Sequence, residues 1–314
     1  MSHILRIGRL AAVCLSLGVT AWSGTVCRAS QSIRQVEAAP PSLDEAVIRI
    51  TVWGEKSATQ DAAQAAKDWL ALKKELGDLY DRLPVWEKSA PFGQLSWKFF
   101  GEENYVRAFD MALECREMGS LPPDCEAIYM AALAGKKDWL QEELGRATSS
   151  AKGDVMERFV RAGLAWASGD YEKVVAEAST PDHKEQSEVD EAKARRWLEL
   201  LHARAIARQG DHGKALDKLV RLVGTMRACP WLQIHMISMA ADMAERANRQ
   251  QEAFVWAQLV LRLFPISIKE KSWSRHGDAI RAMAQRANGK MSDQQRQECE
   301  VAIERILREA KVRL

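Results

Sequence analysis

The sequence lacks a dominant charge: 45 Lys and Arg stand against 43 Asp and Glu in 314 residues. Without a long-range field to draw it onto a phosphate backbone or an anionic bilayer, nucleic acid is excluded as an expected partner. Cysteine is scarce, 6 residues with no CxxC and no Cys/His cluster, which removes a zinc site. The histidines His183, His202, His212, His235 and His276 form no HExxH and no ligand-spaced pair. No Gly-rich phosphate loop follows a strand, since hardly any segment reads as one. The acidic pairs Glu102-Glu103 and Glu142-Glu143 are expected on solvated helix ends or faces. These absences predict a protein that is not an enzyme and carries no cofactor and no metal.

Long apolar runs are also missing, except for Leu10 to Trp22, 13 residues at the N-terminus, short of the ~20 that span a bilayer. Arg6 and Arg9 precede this run, Cys27-Arg28-Ala29 follows it, and the segment has no acidic residue. That is the pattern of a secretory signal peptide over residues 1–29. It implies export to a periplasm or the exterior and no transmembrane span in the mature chain. The competing readings are an uncleaved N-terminal anchor and an organellar transit peptide. Val13 and Val26 before Cys14 and Cys27 argue against lipidation. Residues 30–41 read as a disordered linker. Cleavage leaves Cys115, Cys125, Cys229 and Cys299. Cys115 and Cys125 flank the turn 119–123, where either a disulfide or two buried thiols fits.

What is present is helix. Ser42 and Glu45 have the form of a capping box, so a helix begins there. Val47 to Trp53 is β-branched but has no partner strand and is read as helix. From Thr59 to Arg82 apolar residues recur at three- and four-residue steps until Pro84, an amphipathic helix that completes an N-terminal helical region, 42–88.

Beyond residue 88 the pattern repeats. Turns recur at Glu103, Gly135, Gly169, Gly210, Asn248 and Gly289, at intervals of 32, 34, 41, 38 and 41 residues. Each interval fits two helices and two turns. Small residues pair across the turns twelve positions apart: Ser96 with Ala108, Ala162 with Val174, Ala203 with Ala215, Ala241 with Ala253. Ile128 with Leu140 departs from this. The phrases Trp166 to Lys173 and Ile206 to Ala215 resemble the helix-turn-helix phrase of tetratricopeptide (TPR) repeats, whose period is about 34 residues.

That resemblance implies an all-α fold, a right-handed superhelix or α-solenoid of about five TPR-like repeats over 89–271. A C-terminal capping hairpin over 272–314 would shield the stack, with Ser292 and Gln295 as its capping box. Departures are Pro181, which shortens a second helix, and the polar insertion Thr180–Asp190. The family's concave groove, carried over position by position, implies partner contacts at Trp97 and Phe100, at Tyr129, at Met156, Phe159 and Trp166, at Trp197, Leu200 and Arg204, and at His235, Asp242 and Glu245. Such a groove takes an extended or helical protein segment. Trp139, Trp231, Trp256 and Trp273 are expected in the core. The implied function is a non-catalytic scaffold or adaptor in the cell envelope. The alternatives are a structural subunit of a fixed assembly, or a glycan-recognising or enzyme-accessory protein resting on the 11 Trp. Sequence leaves the partner's identity and the oligomeric state open.

Overall fold

The structure is a computed structural model that describes residues 42–118, 123–149, 154–179, 189–223, 230–265 and 267–312. The expected leader, the linker, the turn between Cys115 and Cys125 and almost all of the insertion lie outside the described residues. The chain is all-α, with no strand among the described residues. Its helices are α1 (Leu43–Ser57), α2 (Ala62–Leu76), α3 (Asp78–Arg82), α4 (Val85–Gly101), α5 (Tyr105–Glu117), α6 (Pro123–Leu133), α7 (Lys137–Ser149) and α8 (Asp154–Ala167). They continue as α9 (Tyr171–Ser179), α10 (Val189–Arg208), α11 (His212–Val223), α12 (Pro230–Arg246), α13 (Gln250–Leu263), α14 (Ser274–Gly289) and α15 (Asp293–Val312). Two 3₁₀ turns, Ser267–Lys269 and Lys271–Trp273, separate α13 from α14. No helix among the described residues is long and apolar enough to cross a membrane.

Local chemistry explains most helix ends. Ser42 Oγ accepts from Glu45 N at 3.2 Å and starts α1, which takes in Val47 to Trp53. Ser292 and Gln295 form a reciprocal box at α15: Ser292 N donates to Gln295 Oε1 at 2.9 Å, and Gln295 N donates to Ser292 Oγ at 3.3 Å. The single helix expected from Thr59 to Arg82 is instead two, because Gly77, at φ 50° and ψ −128°, breaks it. At the short α9, Arg158 reaches from α8 and donates Nε and Nη2 to the Glu177 carbonyl, at 3.0 and 2.8 Å.

The recurring turns share one backbone geometry. Glu103, Gly135, Gly169, Gly210 and Asn248 all have positive φ, between 60° and 92°. In each turn the following amide donates back five residues: Asn104 N to Phe99 O, Lys136 N to Ala131 O, Asp170 N to Ala165 O, Asp211 N to Ile206 O and Arg249 N to Ala244 O, at 2.8 to 3.2 Å. The turn residue's own amide donates back three in every case. This double closure is the Schellman motif, which satisfies the last carbonyls of the first helix. Asn104, Asp170 and Asp211 then cap the second helix with their side chains. The sixth turn, at Gly289, is not among the positive-φ glycines.

Two of the five left-handed positions carry a side chain where L-residues pay a steric penalty. Glu103→Gly is therefore expected to raise stability by roughly 0.5 kcal/mol after the extra unfolded-state entropy of glycine. Gly210→Ala is expected to lower it by about 1 kcal/mol. Urea denaturation of the two variants checks both signs.

The twelve-apart pairs are all buried: Ala162, Val174, Ala203, Ala215, Ala241, Ala253, Ile128 and Leu140 are each 0% exposed. Ser96 closes its pair directly, donating Oγ to Ala108 O at 2.9 Å. The bulkier Ile128 and Leu140 are accommodated by Gly163 on α8, where an added Cβ would lie 3.4 Å from Leu140 Cδ2 and 3.7 Å from Ile128 Cγ2.

The described chain divides into two compact units. One contains residues 128–268 and 276–312; the other contains residues 42–127 together with Lys269–Arg275. In the first, contacts run between sequence neighbours, α7 with α8, α8 with α9 and α10, and so on through α13, and α13 also packs on α15. This is the nearest-neighbour pattern of repeat proteins.

The second unit is built around Trp69. Its ring lies 5.1 Å from Trp53, 5.9 Å from Tyr80 and 5.8 Å from Phe92, the last edge to face. Trp53 Nε1 donates to Ala65 O at 3.1 Å, and burial pushes the Tyr80 phenol up to about 12. Cys115 packs against this cluster and Cys125 is buried. The two are not bonded to each other in this structure. Lys269–Arg275 is also held here. Lys98, 1% exposed, donates to Ser57 O at 2.8 Å and pairs with Glu270 at 3.1 Å. Trp273, 1% exposed, stacks on Phe100. A Cβ on Gly101 would meet Ser272 O and the Trp273 ring at 2.8 Å, so only glycine fits there.

Candidate functional site

The twelve groove positions implied by the resemblance fall into four groups. Trp97 and Phe100 are buried in the N-terminal unit, 5.2 Å apart. Met156, Phe159 and Leu200 are buried in the larger unit. Asp242 and Glu245 are partly exposed and bound in ion pairs, Asp242 with Arg246 and Glu245 with Arg286. The Arg286 guanidinium lowers the Glu245 carboxyl below its usual range.

The remaining five converge. Tyr129 comes from α6, Trp166 from α8, Trp197 and Arg204 from one face of α10, two turns apart, and His235 from α12. Arg204 Nη1 donates to Tyr129 Oη at 2.9 Å and lies 3.2 Å from His235 Nε2, while Tyr129 Oη is 3.2 Å from the same nitrogen. The guanidinium also sits over two rings, 5.5 Å from the centre of Trp166 and 5.9 Å from that of Tyr129. Trp197 packs 5.0 Å from Tyr129.

Counting donors assigns the proton positions. Arginine can only donate, so Tyr129 Oη and His235 Nε2 both accept from Arg204. That nitrogen must then be an acceptor, which makes His235 a neutral imidazole protonated at Nδ1. Burial, then the charges of Arg204 and His276, lower the His235 pKa well below its ordinary value. Of the five, only Arg204 is more than marginally exposed: Trp166 is 9% and His235 8% exposed. The cluster is therefore an aromatic cradle that fixes one cation on the first-helix face. The buried imidazole is held by its neighbours in the neutral form.

His202 on α10 behaves similarly. It is 5% exposed, and burial followed by Lys218 brings its pKa down to about 4, against a smaller opposing effect of Glu199. Both histidines are neutral when folded and charge near pH 6.5 when unfolded, so acid favours the unfolded chain. Stability is expected to be full above about pH 6.5. It is expected to fall below that at up to about 1.4 kcal/mol per pH unit for each histidine, for His202 down to about pH 4. Urea midpoints at pH 7 and pH 5 test this, with a shallower fall expected in His202→Gln.

Other surfaces offer less. A cleft of about 550 Å³ lies along α10 and α11, lined in part by Glu199, Lys214, Asp217 and Lys218. Its charges are matched within the chain: Lys218 with Glu199, Lys214 with Asp211, Asp217 with Arg249. No group of three or more His, Cys, Asp or Glu among the described residues is placed to hold a metal ion.

No family model, curated protein or solved structure matches the chain. Its function must therefore be argued from its own residues.

Sequence reasoning missed two features. Lys98 was visible as the single charge within the apolar run Phe92 to Gly101, which signals a buried ion pair. Glu143, expected on a solvated pair, is 5% exposed and accepts from Arg146 at 2.6 Å. The expected core tryptophans divide: Trp256 and Trp273 are fully buried, Trp139 and Trp231 half-buried.

Proposed function

We propose that the protein is an exported, non-catalytic scaffold or adaptor, a right-handed solenoid of TPR-like repeats that binds a protein segment on its first-helix face in the cell envelope. The observation that carries this reading is the convergence of four successive first helices on Arg204, with Tyr129, Trp166 and His235 holding its guanidinium. The five identically closed turns support the repeat architecture. The N-terminal pattern at 1–29 supports export. Because most of the aromatics expected in the groove are buried, the contacting residues are Arg204, Asp242 and Glu245, with the rings as their foundation. Arg204 is an ordered cation, and Asp242 and Glu245, already paired with Arg246 and Arg286, would exchange those partners for a basic group of the bound segment.

The test is in-cell crosslinking of the tagged protein with mass spectrometry, repeated with Arg204→Glu. The reading expects a discrete partner reduced by about tenfold or more by reversal of this charge, with helicity unchanged by circular dichroism. Retention of the partner at wild-type yield would refute it.

One observation favours the structural-subunit reading. In the N-terminal unit Ile48, Val52, Leu70, Val85 and Trp86 are 45–61% exposed, and α1 carries apolar residues on two faces, as a helix covered on both sides does. That reading expects the isolated chain to self-associate, which analytical ultracentrifugation measures. The glycan reading has less support, since Trp86 is the only exposed tryptophan among the described residues.

A further inference from the structure

We propose that Lys269–Arg275 is a latch on the N-terminal unit, and that its release and the opening of α1 against α4 are a single conformational event. The segment belongs to that unit although the residues before and after it belong to the other. Its own structure is slight, one 3₁₀ turn between the end of another and the first two residues of α14, so its position depends on what it grips. On one side Lys271 N donates to Ala58 O at 3.3 Å and Lys271 Nζ pairs with Asp61 at 3.0 Å, both just beyond α1. On the other side lies the end of α4, where Trp273 covers Phe100 and Gly101, and Arg275 pairs with Glu103 just beyond it.

Lys98 makes these grips interdependent. Its ammonium is held by the Ser57 carbonyl, at the end of α1, and by Glu270 of the latch. If the latch leaves, a buried ammonium keeps one neutral acceptor and loses its counter-charge. A buried charge in that state is strongly unfavourable, and water reaches it only if α1 and α4 part. The latch thus holds the N-terminal unit shut through a charge that tolerates no half-open state.

Hydrogen exchange on the full chain, read by mass spectrometry, tests this with Gly101→Ala, whose added methyl displaces Ser272 and Trp273. Exchange is expected to accelerate by about tenfold or more in the latch and by a similar factor in α1 and α4, with α8 to α13 unchanged. Adding Lys98→Met removes the coupling charge: the latch still exchanges fast, while α1 and α4 return toward wild-type rates. Should Gly101→Ala not fold, Trp273→Ala loosens the latch without adding volume and carries the same expectations. Protected α1 and α4 beside a fast latch, unaltered latch exchange, or no recovery with Lys98→Met would each overturn the proposal.

Discussion

Glu270→Ala is expected to destabilise the protein by about 3–5 kcal/mol, because it strands the ammonium of Lys98 in the interior. Lys98 is 1% exposed, whereas the Glu270 side chain keeps 13% of its surface in solvent. The two single substitutions are therefore unequal. In Lys98→Met the abandoned carboxylate can turn outward or take up a proton, which burial already favours by raising its pKa despite the opposing lysine. Lys98→Met is accordingly the milder change. The double variant Lys98→Met plus Glu270→Leu is expected to recover most of the loss, since an apolar pair pays no desolvation cost. Denaturant unfolding of the four proteins forms a double-mutant cycle. Additive losses would show that the two residues do not act as a pair.

Trp69→Ala is expected to cost about 3–5 kcal/mol, in the range of large-to-small changes at full burial. Trp69 is 0% exposed and in ring contact with Trp53, Tyr80 and Phe92, so its loss opens a cavity shared by α1, α2, α3 and α4. Its indole Nε1 is buried without a hydrogen bond. Trp69→Phe removes that unsatisfied donor while keeping an aromatic ring, and is expected to cost only about 1 kcal/mol. Thermal unfolding of the two variants would show the ordering. A phenylalanine variant as unstable as the alanine one would mean that ring volume beyond phenylalanine, rather than aromatic packing, sets the core.

The all-α class and the recurring turns were legible because their causes are local. A turn residue that must adopt positive φ, followed by Asn or Asp as a helix cap, is written in adjacent positions, as in Gly169-Asp170 and Gly210-Asp211. Glu103 and Asn248 were found only because they fell in register with the glycines. The candidate site was legible as a set of positions but not as an arrangement. Periodicity puts Tyr129, Trp166, Trp197 and His235 on first helices, yet whether a ring faces solvent or a neighbouring helix depends on how closely the helices approach. Small residues such as Ala162, Ala203 and Ala241 bring them close, and the rings are buried as a result. The latch was not legible at all. Lys98 and Glu270 lie 172 positions apart, and no periodicity links a lysine in an apolar run to a glutamate between two 3₁₀ turns.

The most direct measurement of the proposed binding role is site-specific photocrosslinking in the native cells, with benzoylphenylalanine placed singly at Asp242 on the first-helix face and at Lys173, exposed on α9, a second helix. The account predicts one discrete adduct from position 242 and none from position 173. Equal capture from both positions, or capture from position 173 alone, would contradict it.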